Sequence, residues 1–193
     1  MILRRTTAAT ALPVTVDEAN AQLRLTAPDE GGLIYGLIAA AVDLVGQQAG
    51  RVLATETWVA SVPCVPSVSG WADLILPKNP VTGVTAITYY DANDAVQVAS
   101  LADFYVYADA DQTIVRPKNG KSWPATIARA DAISVTFVAG YAVLPPALRA
   151  AILLVVGHLF ENREAVLTGT IASELPLGVQ ALIDPYRLNW LAA

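Results

Sequence analysis

His158 is the only histidine in this 193-residue chain, and it is the first place to look for chemistry. Imidazole titrates near neutrality and could act as a general base, or as a metal ligand together with Glu161 or Asn162. A base needs a nucleophile within reach and a third group to orient it. His158 stands instead among Leu153, Leu154, Val155, Val156, Leu159 and Phe160, so it reads as a satisfied core or interface histidine. Asp109 and Asp111 offer oxygen ligands of the kind calcium takes, but a calcium loop brings more carboxylates and a turn glycine. Lying between two strand-like runs, Asp109, Asp111 and Gln112 read as a solvated hairpin turn. Cys64, flanked by Pro63 and Pro66, has no neighbouring base and reads as a small buried or half-exposed residue. As the only cysteine it rules out an intramolecular disulfide and a Cys-based zinc cluster. Trp58, Trp71, Tyr89, Tyr90, Phe104, Tyr105, Tyr107 and Trp123 could form a sugar-binding platform, but such residues more often stabilise a sheet by cross-strand pairing.

Further motifs are missing. Gly31-Gly32 lacks the spacing and lysine of a phosphate loop, and Asn119-Gly120-Lys121-Ser122 lacks the upstream glycine. Neither H-E-x-x-H nor G-x-S-x-G occurs. The residues therefore call for no catalytic group, no metal and no cofactor, and the expectation is a protein that is not an enzyme. A small hydrolase centred on His158 or on the Asp109/Asp111 turn, and a carbohydrate-binding module using the sheet aromatics, are the rival readings from other classes.

Charge and composition point to partners. The net charge of −5, with no Lys/Arg cluster, argues against a nucleic-acid-binding module. It suits a surface past which DNA slides without sticking, since neutralised phosphates are what make DNA binding tight. A 54% hydrophobic share against 15% charged predicts that some apolar surface meets partner subunits. The N-terminal Met1 to Thr15 has an arginine pair but no sustained apolar core, which argues against a signal peptide. The apolar run Ala150 to Phe160 falls short of the ~20 residues of a membrane span. The expectation is an intracellular chain without a membrane partner.

The periodicity runs from helical to strand-like and back to helical. Thr15-Val16-Asp17-Glu18 fits a capping box and opens a short helix carrying Ala19 and Leu23, which should stop near Pro28. A second helix is predicted from about Asp29 to Leu53, with Ile34, Leu37, Ile38, Ala41, Val45, Ala49 and Val52 at helical spacing. Gly32, Gly36, Gly46 and Gly50 in it mean either a tolerated weak helix or close backbone packing on another helix. From Thr55 to about Tyr141 the runs 56–62, 84–90, 104–107 and 133–137 alternate as strands. Polar turns at 91–94, 109–112 and 118–120 separate them. A helix from Pro146 to about Ala165, apolar nearly all round, should be buried on several sides. Leu167 to Ser173 reads as a loop, and Pro176 opens a short helix with Val179, Leu182 and Ile183 that Pro185 ends. The predicted fold class is α+β: residues 1–54 and 143–193 form a helical bundle, and residues 55–142 an inserted antiparallel β-sheet, sandwich-like or barrel-like.

In order along the chain, these motifs resemble the phiE125 gp8-type head-tail connector (adaptor) proteins of tailed phages, related to the gp6-like connectors. The resemblance runs from Val16-Asp17-Glu18-Ala19 and Leu23-Arg24-Leu25 through Gly50-Arg51-Val52-Leu53 and Glu56-Thr57-Trp58. It continues in Leu76-Pro77-Lys78-Asn79-Pro80-Val81, Ile87 to Asp91, Trp123-Pro124 and Phe137 to Tyr141. It ends with Pro145 to Leu148, His158 with Glu161-Asn162-Arg163-Glu164, Leu175 to Val179 and Pro185-Tyr186-Arg187. Leu159-Phe160 departs from the Trp/Tyr-type pair of that pattern.

The resemblance implies a homo-oligomeric ring, usually of twelve subunits, beneath the portal protein of a phage, prophage or gene-transfer-type particle, the chain being made in the bacterial host cytoplasm. Such a ring extends the DNA channel, passes DNA without sequence-specific binding, and docks the next head-completion, stopper or tail protein. A neighbouring head-completion or tail-terminator protein is the alternative within this class. On this reading Ile152, Val155, Val156, Leu159 and Phe160 pack subunit on subunit. Leu175, Pro185, Tyr186, Arg187, Trp190 and Leu191 engage the portal, aromatic residues being frequent interface anchors.

Overall fold

The computed structural model describes residues 1–25, 31–63, 73–109, 111–162 and 177–188. The chain divides into a sheet unit, Met1–Thr10 with Thr55–Ala142, and a helical unit, Ala11–Ala54 with Val143–Ala193. The class is α+β, with four helices and two antiparallel sheets among the described residues. The first ten residues lie with the sheet and not with the helices, because Ile2–Thr7 forms a strand, β1, paired to β2 (Glu56–Val62). Only Leu3 in β1 is even partly buried, so the segment lacks the alternation that marks a strand in sequence.

The larger sheet has the order β1-β2-β8-β4-β5, where β4 is Val81–Tyr90, β5 Val96–Ala99 and β8 Ile133–Ala139. Central β8 alternates without a break: Ile133, Val135, Phe137 and Ala139 are buried, and the residues between them are half-buried. The register places Phe137 between Trp58 of β2 and Val84 of β4. Thr82, Thr85 and Thr88 of β4 donate hydroxyl hydrogen bonds to the carbonyls of Val138, Thr136 and Ser134 at 3.3, 3.2 and 3.5 Å. The smaller sheet has the order β3-β7-β6, where β3 is Leu74–Leu76, β6 Phe104–Ala108 and β7 Thr113–Pro117. The buried Thr113 hydroxyl donates to Asn79 Oδ1 at 3.0 Å, and Arg116 Nε donates to Asp73 at 2.6 Å.

The helical unit comprises α1 (Val16–Leu23), α2 (Gly31–Ala49), α3 (Pro146–Glu161) and α4 (Leu177–Ile183), the last running into a 3-10 turn at Asp184–Tyr186. The capping box forms as spacing predicts: the Glu18 amide donates to the Thr15 hydroxyl at 3.2 Å, and the Thr15 amide to the Glu18 carboxylate at 2.8 Å. Glu18 also pairs with Arg149, tying α1 to α3. The helix stops at Leu23, short of Pro28, because Arg24 turns left-handed at φ 56° and Leu25 N–H bonds back to Asn20. Replacing Thr15 by Ala should cost about 1 kcal/mol of stability in denaturant melts. The Thr15 amide, the Thr15 hydroxyl and Arg149 hold the Glu18 carboxyl below its ordinary range. That stabilisation is therefore complete above the usual Glu pKa and fades as pH falls through the lowered folded value.

Gly50, at φ 68°, closes α2: its amide bonds to Gln47, and the Arg51 amide bonds to the carbonyl of Gly46. A Cβ on Gly46 would sit 3.1 Å from the Arg51 carbonyl, so a side chain there would crowd this turn and not a partner helix. Gly32 and Gly36 face open space. Inside the unit α2 buries Ile34, Ile38, Ala41, Val45 and Ala49, one stripe against its neighbours. At 19 residues it is long and apolar enough to cross a membrane by composition, a length that unbroken apolar runs alone do not reveal; core helices meet the same criterion.

Candidate functional site

The groups with chemical potential fall in different units of the chain, His158 in the helical one and Asp109 and Asp111 in the sheet one. His158, half-buried in the last turn of α3, has Nδ1 3.3 Å from the Asn162 side-chain nitrogen, which also donates to the His158 carbonyl at 2.9 Å. No cluster of three or more His, Cys, Asp or Glu side chains occurs among the described residues. The Asp109 carboxylate accepts the amides of Asp111 and Gln112 at 2.8 and 2.6 Å, closing the β6–β7 hairpin as turn chemistry predicts. Cys64 and Trp71 fall outside the described residues. A hollow of about 240 Å³ bordered by Tyr89, Ser100, Phe104 and Ser122 contains Asp103, whose carboxylate is paired with Lys121 at 2.9 Å.

The aromatic residues are distributed over several contacts. Phe104 is buried against Trp123, ring centroids 4.7 Å apart. Tyr90 lies 3.5 Å beneath the Arg129 guanidinium, and Lys78 stands 5.0 Å over Trp58. Tyr105 and Tyr107 are both exposed, but their rings are tilted by 42° and not coplanar, as a flat sugar-binding platform would require.

Ile152, Val155 and Val156, expected at a subunit contact, are fully buried in the chain on its own. They line the inner face of α3 with Leu148 and Ala151, at the spacing of a single amphipathic stripe. Leu159 and Phe160 are only half-buried, and Leu154 on the outer face is 43% exposed. Within the chain α3 is thus fully buried along one face, half-buried beside it and open at Leu154. Towards the C-terminus Pro185 and Arg187 are exposed and Tyr186 half-buried, while Leu175, Trp190 and Leu191 fall outside the described residues. Arg187 pairs with Asp184 at 3.2 Å. The Tyr186 carbonyl accepts from buried Arg51, and the Leu188 amide donates to the Ala49 carbonyl at 2.9 Å. The chain is therefore folded back onto its own unit as far as Leu188.

Two surfaces escape the sequence reading. Leu33, Leu37, Ala40 and Leu44 recur at i, i+4, i+7 and i+11 on α2, beside the buried stripe, and Leu33, Ala40 and Leu44 are exposed. The signal is present, but two interleaved stripes read as one broad one. The second surface is β6, in which every residue after Phe104 is exposed.

No family model and no curated protein matches the sequence. Among solved structures, the fold is similar to a chain in the neck of an empty GTA particle computed with C6 symmetry, at TM-score 0.79 and 23% identity. It is also similar to a chain in the virion of a native gene transfer agent (GTA) particle, at 0.77 and 21%. A third match lies in the neck of a native GTA particle computed with C12 symmetry, at 0.72 and 22%. Each match covers 98% of this chain and 96% of the other. At these identities the likeness shows a shared fold.

Proposed function

We propose that this chain is a structural, non-enzymatic subunit of the neck of a phage-like particle: an adaptor of the phiE125 gp8 type that forms a ring, usually of twelve copies, beneath the portal. The observation that carries the reading is the end-to-end fold match to chains from gene transfer agent necks and virions. The exposed apolar side chains of the helical unit, Leu33, Leu44 and Leu154, support ring packing, with half-buried Leu159 and Phe160 as further contacts. That unit carries nine acidic against five basic side chains, a net of −4 within the chain's −5, which suits a wall along which DNA slides.

On this reading the C-terminal segment engages the portal through Leu175, Pro185, Tyr186, Arg187, Trp190 and Leu191. Ending the chain after Leu188 keeps the Arg51–Tyr186 and Ala49–Leu188 bonds and removes only residues 189–193. The truncated subunit should melt like the full chain and enter particles at least about tenfold less efficiently, a loss of ~1.4 kcal/mol of docking energy or more. Undiminished incorporation would refute portal docking by the tail. Imaging of purified particles with the full chain located in density tests the neck assignment itself.

A further inference from the structure

We infer that β6 is a docking edge for an extended segment of a different neck component, one that brings a carboxylate to Lys118. The inference rests on the neck reading above and names a partner for one surface of it.

Among the described residues β6 is the last strand of its sheet, paired on one side only, to β7. Its hairpin bonds fix which backbone groups point outward. Asp109 N–H bonds to the Gln112 carbonyl and Lys118 N–H to the Asp103 carbonyl. Antiparallel alternation then puts Tyr105 and Tyr107 in the hydrogen-bonded pairs with Arg116 and Ile114. Val106 and Ala108 therefore direct both N–H and C=O away from β7, toward the open edge. The strand Phe104-Tyr105-Val106-Tyr107-Ala108 has no charge and no proline, and Tyr105, Val106 and Tyr107 are 41%, 43% and 50% exposed. Natural edges are ordinarily blunted by charge, proline or a cover, so a bare edge of this composition is one that a partner covers. Beside it Ile75, Ile114 and Tyr107 form a cross-strand row, with Ile75 also exposed. Main-chain bonds to the edge with side chains on such a row are how strand addition recognises a peptide.

Charge identifies the occupant. Lys118 Nζ stands 5.2 Å over the Tyr105 ring; Arg116, over Tyr107, is held by Asp73, and Asp103 by Lys121, so Lys118 gives the Phe104 end its positive charge. Asp109 and Asp111 stand at the Ala108 end. The complementary strand has an acid at the first end and none at the second. Among the described residues no other strand edge of a second copy supplies it: β1 carries Arg4 and Arg5, β5 carries no charge, and Asp73 beside β3 is held by Arg116. Antiparallel pairing of β6 with its own copy, centred on Val106, sets Asp103 of one against Asp109 of the other. The carboxylate thus comes from another chain.

Val106→Pro tests this, because it deletes an outward amide while leaving the β6–β7 ladder whole, a position where edge strands tolerate proline. Particles carrying Val106→Pro should keep this chain in the neck but lose at least about tenfold of the density of the component seated on it. Val106→Ala, which retains the amide, should remain near wild type. Lys118→Glu should lose several-fold and Lys118→Arg should restore it; this pair decides if Val106→Pro fails to fold. Undiminished occupancy in both Val106→Pro and Lys118→Glu overturns the proposal. So does loss of this chain's own copies from the ring, which would make the occupant a second copy. Absence of the wild-type chain from the neck is a different outcome and overturns the neck reading instead.

Discussion

Ile152→Ala is expected to lower the unfolding free energy of the free subunit by about 2–5 kcal/mol, the range for truncating a buried aliphatic side chain that leaves a cavity. The residue is fully buried in the middle of the inner face of α3, flanked along the helix by Leu148 and Val156, also fully buried. Urea denaturation of the purified subunit reads the effect as a lowered midpoint at unchanged slope. The matched measurement is Phe160→Ala: this side chain is half-buried, so its truncation should move the midpoint much less. If Ile152→Ala left the free subunit unchanged and weakened only its self-association, Ile152 would be an interface residue after all and the core described for this unit would be wrong.

Phe137→Ala should be the most damaging single truncation in the sheet unit, at about 3–5 kcal/mol. Phe137 is the largest fully buried side chain among the described residues, and it sits on the central strand with partners on both sides. Neither neighbouring strand can close over the space without shifting a register fixed along all seven residues of β2–β8. The test is a denaturation curve followed through a sheet-unit signal such as Trp58 fluorescence, with Phe137→Leu as the milder comparison. A loss below about 1 kcal/mol would mean that the site collapses freely and that β8 is not the centre of the core.

How much of this is legible in the sequence depends on where each element sits. Thr15 and Glu18 announce α1 because a capping box acts over four residues and needs no tertiary partner. β8 is legible because it is buried on alternate residues throughout. β1 is not, since an edge strand with arginines and threonines facing outward carries no alternation to read. The stop of α1 is hidden because Arg24 adopts the left-handed conformation that a glycine or asparagine would have signalled. Among the interface residues, helical spacing groups Ile152, Val155 and Val156 correctly on one face. It does not say whether that face meets another helix of the same chain or of a neighbour, since both apolar environments select the same residue types. The bare edge of β6 is invisible for a related reason: which strand ends a sheet is a matter of topology, and Tyr-Val-Tyr suits a central strand equally well.

The interleaving of the two units along the chain bears on how the protein is made. β1 leaves the ribosome some fifty residues ahead of β2, the strand it pairs with, with α1 and α2 emerging in between. The inner stripe of α2, Ile34 to Ala49, must then wait until α3 appears roughly a hundred residues later. Closing contacts across such long separations is slow. For most of translation the nascent chain therefore displays an unpaired strand and a greasy helix, the conditions under which incomplete chains aggregate. Synthesis in excess of chaperone capacity should accordingly lose product as insoluble nascent material, even where the finished subunit is stable.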